Sequence, residues 1–155
     1  MNKHERKAIR KPEDILEVVK KWKNQRQENF LAITLNGAHD VIKVHHVSKG
    51  LVNKTIVHPR ECFWPAVKDL ATAVVFVHNH PSGNREPSKE DREITQRLGV
   101  AGVVMGINVL DHVIITPNDS FYSLRQNDSY LLRSDCDYKE MEYFANILAA
   151  ESRSA

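Results

Sequence analysis

The run Ala71-Thr72-Ala73-Val74-Val75-Phe76-Val77 is continuous, apolar and rich in β-branched residues, and it leads straight into His78-Asn79-His80-Pro81-Ser82-Gly83. Because polar residues do not alternate with apolar ones, the run predicts a strand buried on both faces. The chain must therefore fold as a sheet with other elements packed against each side. In extended chain, residues two apart point the same way. His78 and His80 then present ring nitrogens to one point while Asn79 faces away. Pro81 and Gly83 end the strand.

A carboxylate follows at a matching distance. Ser88 succeeds Pro87 and precedes a segment with Ile94 and Leu98 four residues apart, which makes it a good N-cap. Asp91 is then the third helical residue, with the spacing of a capping box in which Asp replaces the preferred Glu or Gln. The first helical turn aims this carboxylate back toward the histidine loop. Two His and one Asp make up the three protein ligands that a catalytic zinc usually has, with a fourth position open. Alternatively, Ser88 and Asp91 are only a helix cap, with the acid serving the helix dipole. Ser88 can play both parts, but Asp91 can hardly serve both fully.

Together, His78, His80, Pro81, Ser88 and Asp91 reproduce the pattern H-x-H-P, six residues, Ser, two residues, Asp. This resembles the JAMM motif of the JAB/MPN metalloproteases. Val57-His58-Pro59-Arg60-Glu61, Val77 to Gly83, Pro87-Ser88 and Leu110-Asp111-His112 are similar to its bacterial RadC-like branch. The resemblance covers residues 27–125. It implies an α/β fold, a three-layer α/β/α sandwich on a mixed sheet with deaminase-like architecture. It also implies that His78, His80 and Asp91 bind Zn2+, that a Glu from an earlier segment is the general acid/base, and that Ser88 helps stabilise a tetrahedral intermediate. The expected activity is that of a metallopeptidase or isopeptidase acting on a peptide or protein.

The Glu has two candidates. Glu28 precedes the strand-like run Asn29-Phe30-Leu31-Ala32-Ile33-Thr34-Leu35, and the resemblance places the family's Glu just before such a segment. Glu61 sits at the start of a helix containing Phe63, Val67 and Leu70, where the dipole favours any acid. We assign the role to Glu28. His112 is either a partner that orients a ligand or a hydrogen-bonded strand histidine. His45 and His46 have no nearby partner pattern and read as structural or surface residues. There is no H-E-x-x-H, deaminase signature, G-x-S-x-G elbow or P-loop.

The 155 residues suit one domain with a real core. We divide them into a basic arm and helix (residues 1–26), the RadC-like domain (27–125) and a helical extension (126–155). Cys62 and Cys136 give no metal spacing and fit a reducing, cytoplasmic setting. Cys62 reads as a small buried hydrophobe. No apolar run approaches the ~20 residues of a membrane span. A net charge of +2 is too small to argue for nucleic-acid binding by the whole chain. The arm, residues 1–11, carries five Lys or Arg and one Glu, a pattern that is more often a solvated terminus than a phosphate contact. Many relatives resemble a fusion to an N-terminal helix-hairpin-helix module, and the N-terminal stretch here is too short for one. That weakens a DNA-binding inference from the family, and the rival class is a nucleic-acid-associated module with a structural zinc.

Further elements complete the expectation. A helix opens at Pro12 with Ile15, Val18, Val19 and Trp22 on one face. Strands follow at residues 29–35 and 41–47, then a third at 55–58 leading into a helix over 59–70, with Pro65 marking a kink or late start. The Ser88 helix ends near Gly99 or Gly102, and a last strand spans 107–115. Tyr138, Met141, Phe144, Ile147 and Leu148 form a helical stripe that either docks on the domain or supports a homodimer.

Overall fold

The computed structural model describes residues 7–50 and 57–132, together with helical positions 142, 146, 149, 150, 152 and 153. Its elements are α1 (Pro12–Val18), a 3-10 turn (Lys20–Trp22), β1 (Asn29–Leu35), β2 (Val41–Lys49), α2 (Pro59–Lys68), β3 (Ala73–Asn79), α3 (Lys89–Met105), β4 (Asn108–Ile115), β5 (Phe121–Ser123), α4 (Leu124–Asn127) and a 3-10 turn (Ser129–Leu132). The five strands form one mixed sheet in the order β2-β1-β3-β4-β5. The β3–β4 pair is parallel and the other pairs are antiparallel.

Strand alternation divides the core in two. Phe30, Ala32, Val74 and Phe76 face Cys62, Phe63 and Ala66 of α2 and Ile94 and Leu98 of α3. Leu31, Ile33, Leu35, Val75 and Val77 face Ile9, Ile15 and Val19 on the other side. Both central strands, β1 and β3, are buried along their whole length, which is why their sequences are continuous apolar runs. Helices thus cover both faces of the sheet, the three layers of an α/β/α sandwich. Each fully buried Phe or Leu here contributes roughly 1.5–3 kcal/mol through the water-excluded area.

Several elements differ from the sequence expectation. The Ser88 helix runs through Gly99 and Gly102 to Met105 and stops at Gly106, whose φ of 70° is left-handed. The two interior glycines are packing contacts rather than stops. A Cβ on Gly99 would lie 2.7 Å from the Leu131 carbonyl, and one on Gly102 would lie 2.5 Å from that of Ile107. The helix at Pro12 tightens into a 3-10 turn after Val18, and Pro65 lies inside a continuous α2 rather than starting it. The buried strand is shifted to Ala73–Asn79, and β2 extends to Lys49. The 55–58 strand falls partly outside the described residues, and Val57 and His58 lead into α2 without forming strand. The 138–148 stripe lies outside the described residues. Among the described residues no helix is long and apolar enough to cross a membrane.

Candidate metal centre

β3 delivers His78 to the face on which α3 docks, and the backbone continues extended to His80, whose N–H donates to the Ile115 carbonyl at 2.9 Å. Pro87 and Ser88 then start α3, whose first turn returns Asp91 to the same spot. Ser88 Oγ accepts the Asp91 N–H at 3.0 Å, and Asp91 Oδ2 accepts the Ser88 N–H at 2.8 Å, so the capping box is complete in both directions. One ligand atom from each of His78, His80 and Asp91 lies within 4.8 Å of the other two. His78 Nε2 stands 3.3 Å from Asp91 Oδ1, His80 Nε2 stands 3.3 Å from Oδ2, and the two Nε2 atoms are 2.8 Å apart. Asp91 therefore serves cap and cluster together, contrary to the sequence reading. Its two oxygens offer enough lone pairs for both.

The ring orientations follow from the outer partners. The Asp91 carbonyl can only accept, so the Thr95 hydroxyl, 2.6 Å away, donates to it. Thr95 Oγ1 then accepts from His112 Nδ1 at 2.6 Å. Burial, reinforced by His78, pushes the His112 ring down to about 3, so it is neutral and its Nε2 is bare. That nitrogen accepts from His78 Nδ1 at 2.8 Å, so the outer nitrogen of His78 carries a hydrogen and Nε2 is the one turned to the cluster. On the other ring, His80 Nδ1 donates to the Asn84 carbonyl at 2.7 Å, and its Nε2 is turned to the cluster in the same way. Two imidazole Nε2 atoms and a carboxylate thus converge, each ring fixed through its other nitrogen. Outer partners orient metal-binding histidines in the same way, and this donor set suits zinc. The residues present fit the ion.

The three groups are coupled electrostatically. Burial raises the Asp91 carboxyl, but His78, His80 and the Ser88 amide outweigh it and hold it far below the usual carboxylate range. Burial lowers the His80 ring, yet Asp91, the Asn84 carbonyl and Glu28 together raise it. Phe30 closes the floor, stacked 6.2 Å from His78 and edge-on to His112 at 5.5 Å. Asp111 ties the rear of the site to the end of the sheet. Its Oδ1 accepts the N–H groups of His112 and Arg125, and its Oδ2 accepts the Ser123 hydroxyl.

Of the two Glu candidates, Glu28 stands next to the cluster. The antiparallel β1–β3 register ends at Phe30 opposite His78, so two residues further Glu28 falls beside His80. Its charge is felt on that ring. Glu61 is exposed in the first turn of α2. His45 and His46 are structural and partnered: His45 pairs with Asp69 at 2.6 Å, and His46 bonds Asn29 at 2.9 Å under a stacked Trp22. The sequence reading missed Thr95, Asn79 and the Asn84 carbonyl. Thr95, four residues after Asp91, gave a signal, since a helical Thr at that spacing can bond the earlier carbonyl.

The RadC-like JAB domain family matches residues 9–129, more than half of the chain. A UPF0758 protein of Methanospirillum hungatei is 47% identical over 114 residues, covering 72% of this chain and 51% of that protein. One from Trichlorobacter lovleyi is 53% identical over 93 residues, covering 60% of this chain and 40% of its own length. Another from Geobacter sulfurreducens is 52% identical over 94 residues, with 61% and 41% covered. The chain spans about half the length of these curated relatives or less. A mixed sheet carrying a His-His-Asp cluster between its central strand and a capped helix, within a family match of this extent, places the chain in the RadC-like JAB domain family.

Proposed function

We propose that this chain is a zinc-dependent hydrolase of the metallopeptidase or isopeptidase kind, with His78, His80 and Asp91 as the ligands. The observation that carries the reading is the convergence of two imidazole Nε2 atoms and a carboxylate, each side chain held by a partner behind it. A zinc ion held there would supply a Lewis acid that polarises a carbonyl and acidifies water. Glu28, beside His80, takes the proton of the attacking water and returns it to the leaving amine. Ser88 accepts the Asp91 N–H and so keeps its own O–H to donate to the oxygen that becomes negative. β2 is an edge strand whose Lys49 pairs with Asn29, next to Glu28. An extended peptide added to that edge by main-chain pairing runs toward the site.

The test measures zinc content together with hydrolysis of peptide and isopeptide-linked substrate mixtures by the wild-type chain and by Glu28→Gln. Product formation that needs both zinc and Glu28 supports the reading. Zinc retained without any Glu28-dependent hydrolysis would overturn it in favour of a structural ion. Tight oligonucleotide binding that survives physiological salt would then identify a nucleic-acid module.

A further inference from the structure

One carboxamide grips the backbone on both sides of Glu28. Asn79 lies between the two histidines in sequence, but strand alternation sends its side chain to the opposite face, where the residue is 1% exposed. There Oδ1 accepts the Asn29 N–H at 2.7 Å, and Nδ2 donates to the carbonyls of Gln27 at 3.0 Å and Gln25 at 3.2 Å. The Gln27 carbonyl belongs to the peptide plane before the Glu28 Cα, and the Asn29 N–H to the plane after it. Peptide units are rigid, so the orientations of these two planes set φ and ψ at Glu28 and hence the direction of its Cα–Cβ bond.

The surroundings make this grip necessary. Backbone pairing between β1 and β3 ends at Phe30 and His78, so beyond that point the Asn79 side chain replaces the ladder. Asn29 Nδ2 adds a bond to the Gln27 carbonyl at 2.9 Å, and Gly50 N–H donates to the Glu28 carbonyl at 2.8 Å. Only a carboxamide offers acceptor and donors together at this reach. Aspartate keeps the acceptor, loses both donors and sets a charge against two carbonyls, while alanine loses everything.

We propose that Asn79 is a positioning residue for Glu28, clamping the two peptide planes that flank it so that the carboxylate is held beside His80. This rests on the reading of Glu28 as the base next to the metal ligands. The experiment loads the full chain with Co2+ and labels the glutamate carboxyl carbons with 13C. Paramagnetic relaxation of each carboxyl reports its distance from the ion without any substrate. The Glu28 signal, identified by its loss in Glu28→Gln, should relax far faster than that of Glu61. In Asn79→Asp and Asn79→Ala, at unchanged Co2+ stoichiometry, the Glu28 enhancement should fall several-fold, more in Ala than in Asp, while Glu61 stays constant. A merely structural Asn79 lowers the unfolding temperature and leaves the relaxation unmoved, and that result in both variants would overturn the clamp. A wild-type Glu28 relaxing no faster than Glu61 would instead remove the reading beneath it, and the clamp with it.

Discussion

Two histidine–carboxylate clusters sit on this sheet, and only one is arranged to receive an ion. In the first, on β2, His45 Nε2 meets Asp69 Oδ2 at 2.6 Å, and the Thr34 hydroxyl donates to the same oxygen at 2.6 Å. Each donor there meets an acceptor, so the pair is closed. In the second, at the end of β3, the N–H groups of His78 and His80 are spent on His112 and Asn84. What remains facing inward is the two Nε2 atoms and the Asp91 carboxylate. The difference is that both rings at the end of β3 are held from behind through their outer nitrogens and leave three potential ligand atoms together, whereas His45 is joined to one carboxylate.

The largest effect that can break this comparison is loss of the metal. His78→Ala, His80→Ala and Asp91→Ala should each reduce zinc from about one per chain to a small fraction, since a site with three protein ligands cannot spare one. His45→Ala and Asp69→Asn should leave it unchanged. Elemental analysis decides, and undiminished zinc in all three site variants would sink the assignment.

Next in size is the chemistry. Glu28→Gln should keep the zinc and the fold yet lower hydrolysis by about 10²–10⁴-fold, the usual worth of a positioned base. Glu61→Gln should be mild. The reverse ranking in steady-state rates would move the role to Glu61.

The outer partners come third. Thr95→Val and His112→Phe break the hydrogen-bonded chain that orients the His78 ring, and should weaken zinc affinity by roughly 10–100-fold in competition with a chelator. Affinity equal to wild type in both would mean that His78 needs no orienting partner.

The smallest effect belongs to the closed pair. Burial raises the Asp69 carboxyl, but Thr34 and His45 bonding to it overcome this and leave its pKa lowered in the folded chain. A depressed carboxylate contributes stability that is full above its unfolded value, about 3.9, and is lost as pH falls through the lower folded value. Asp69→Asn should remove that part of the acid slope, and its midpoint should drop by about 2–4 °C per kcal/mol lost. Thermal melts between neutral and strongly acidic pH read this, and an unchanged acid slope would show that the pair stores no stability.

Legibility in the sequence followed the range of the interactions. Residues 29–35 stand as read, because a strand buried on both faces carries its signal in every position. The capping box at Ser88 and Asp91 was equally plain, since all its bonds span three residues. The helix end was misplaced because Gly99 and Gly102 are set by close contact with Leu131 and Ile107, distant in sequence or across a turn. The short β5 and α4 carry too few residues for periodicity, and they are held by Asp111 and Arg125.

By itself the sequence determined the family pattern, the buried central strand and the convergence of His78, His80 and Asp91, and each of these follows from spacing along one or two neighbouring segments. The preference for Glu28 over Glu61 came from the family resemblance. The tertiary structure alone decided which nitrogen of each ring is turned to the cluster, because that depends on Thr95, His112 and Asn84 meeting His78 and His80 across α3, β4 and the loop. It also decided that Asn79, the residue facing away from the metal ligands, reaches the backbone around Glu28 some fifty positions earlier. Hydrogen-bond direction is a property of pairs in space, and a linear pattern records only the members.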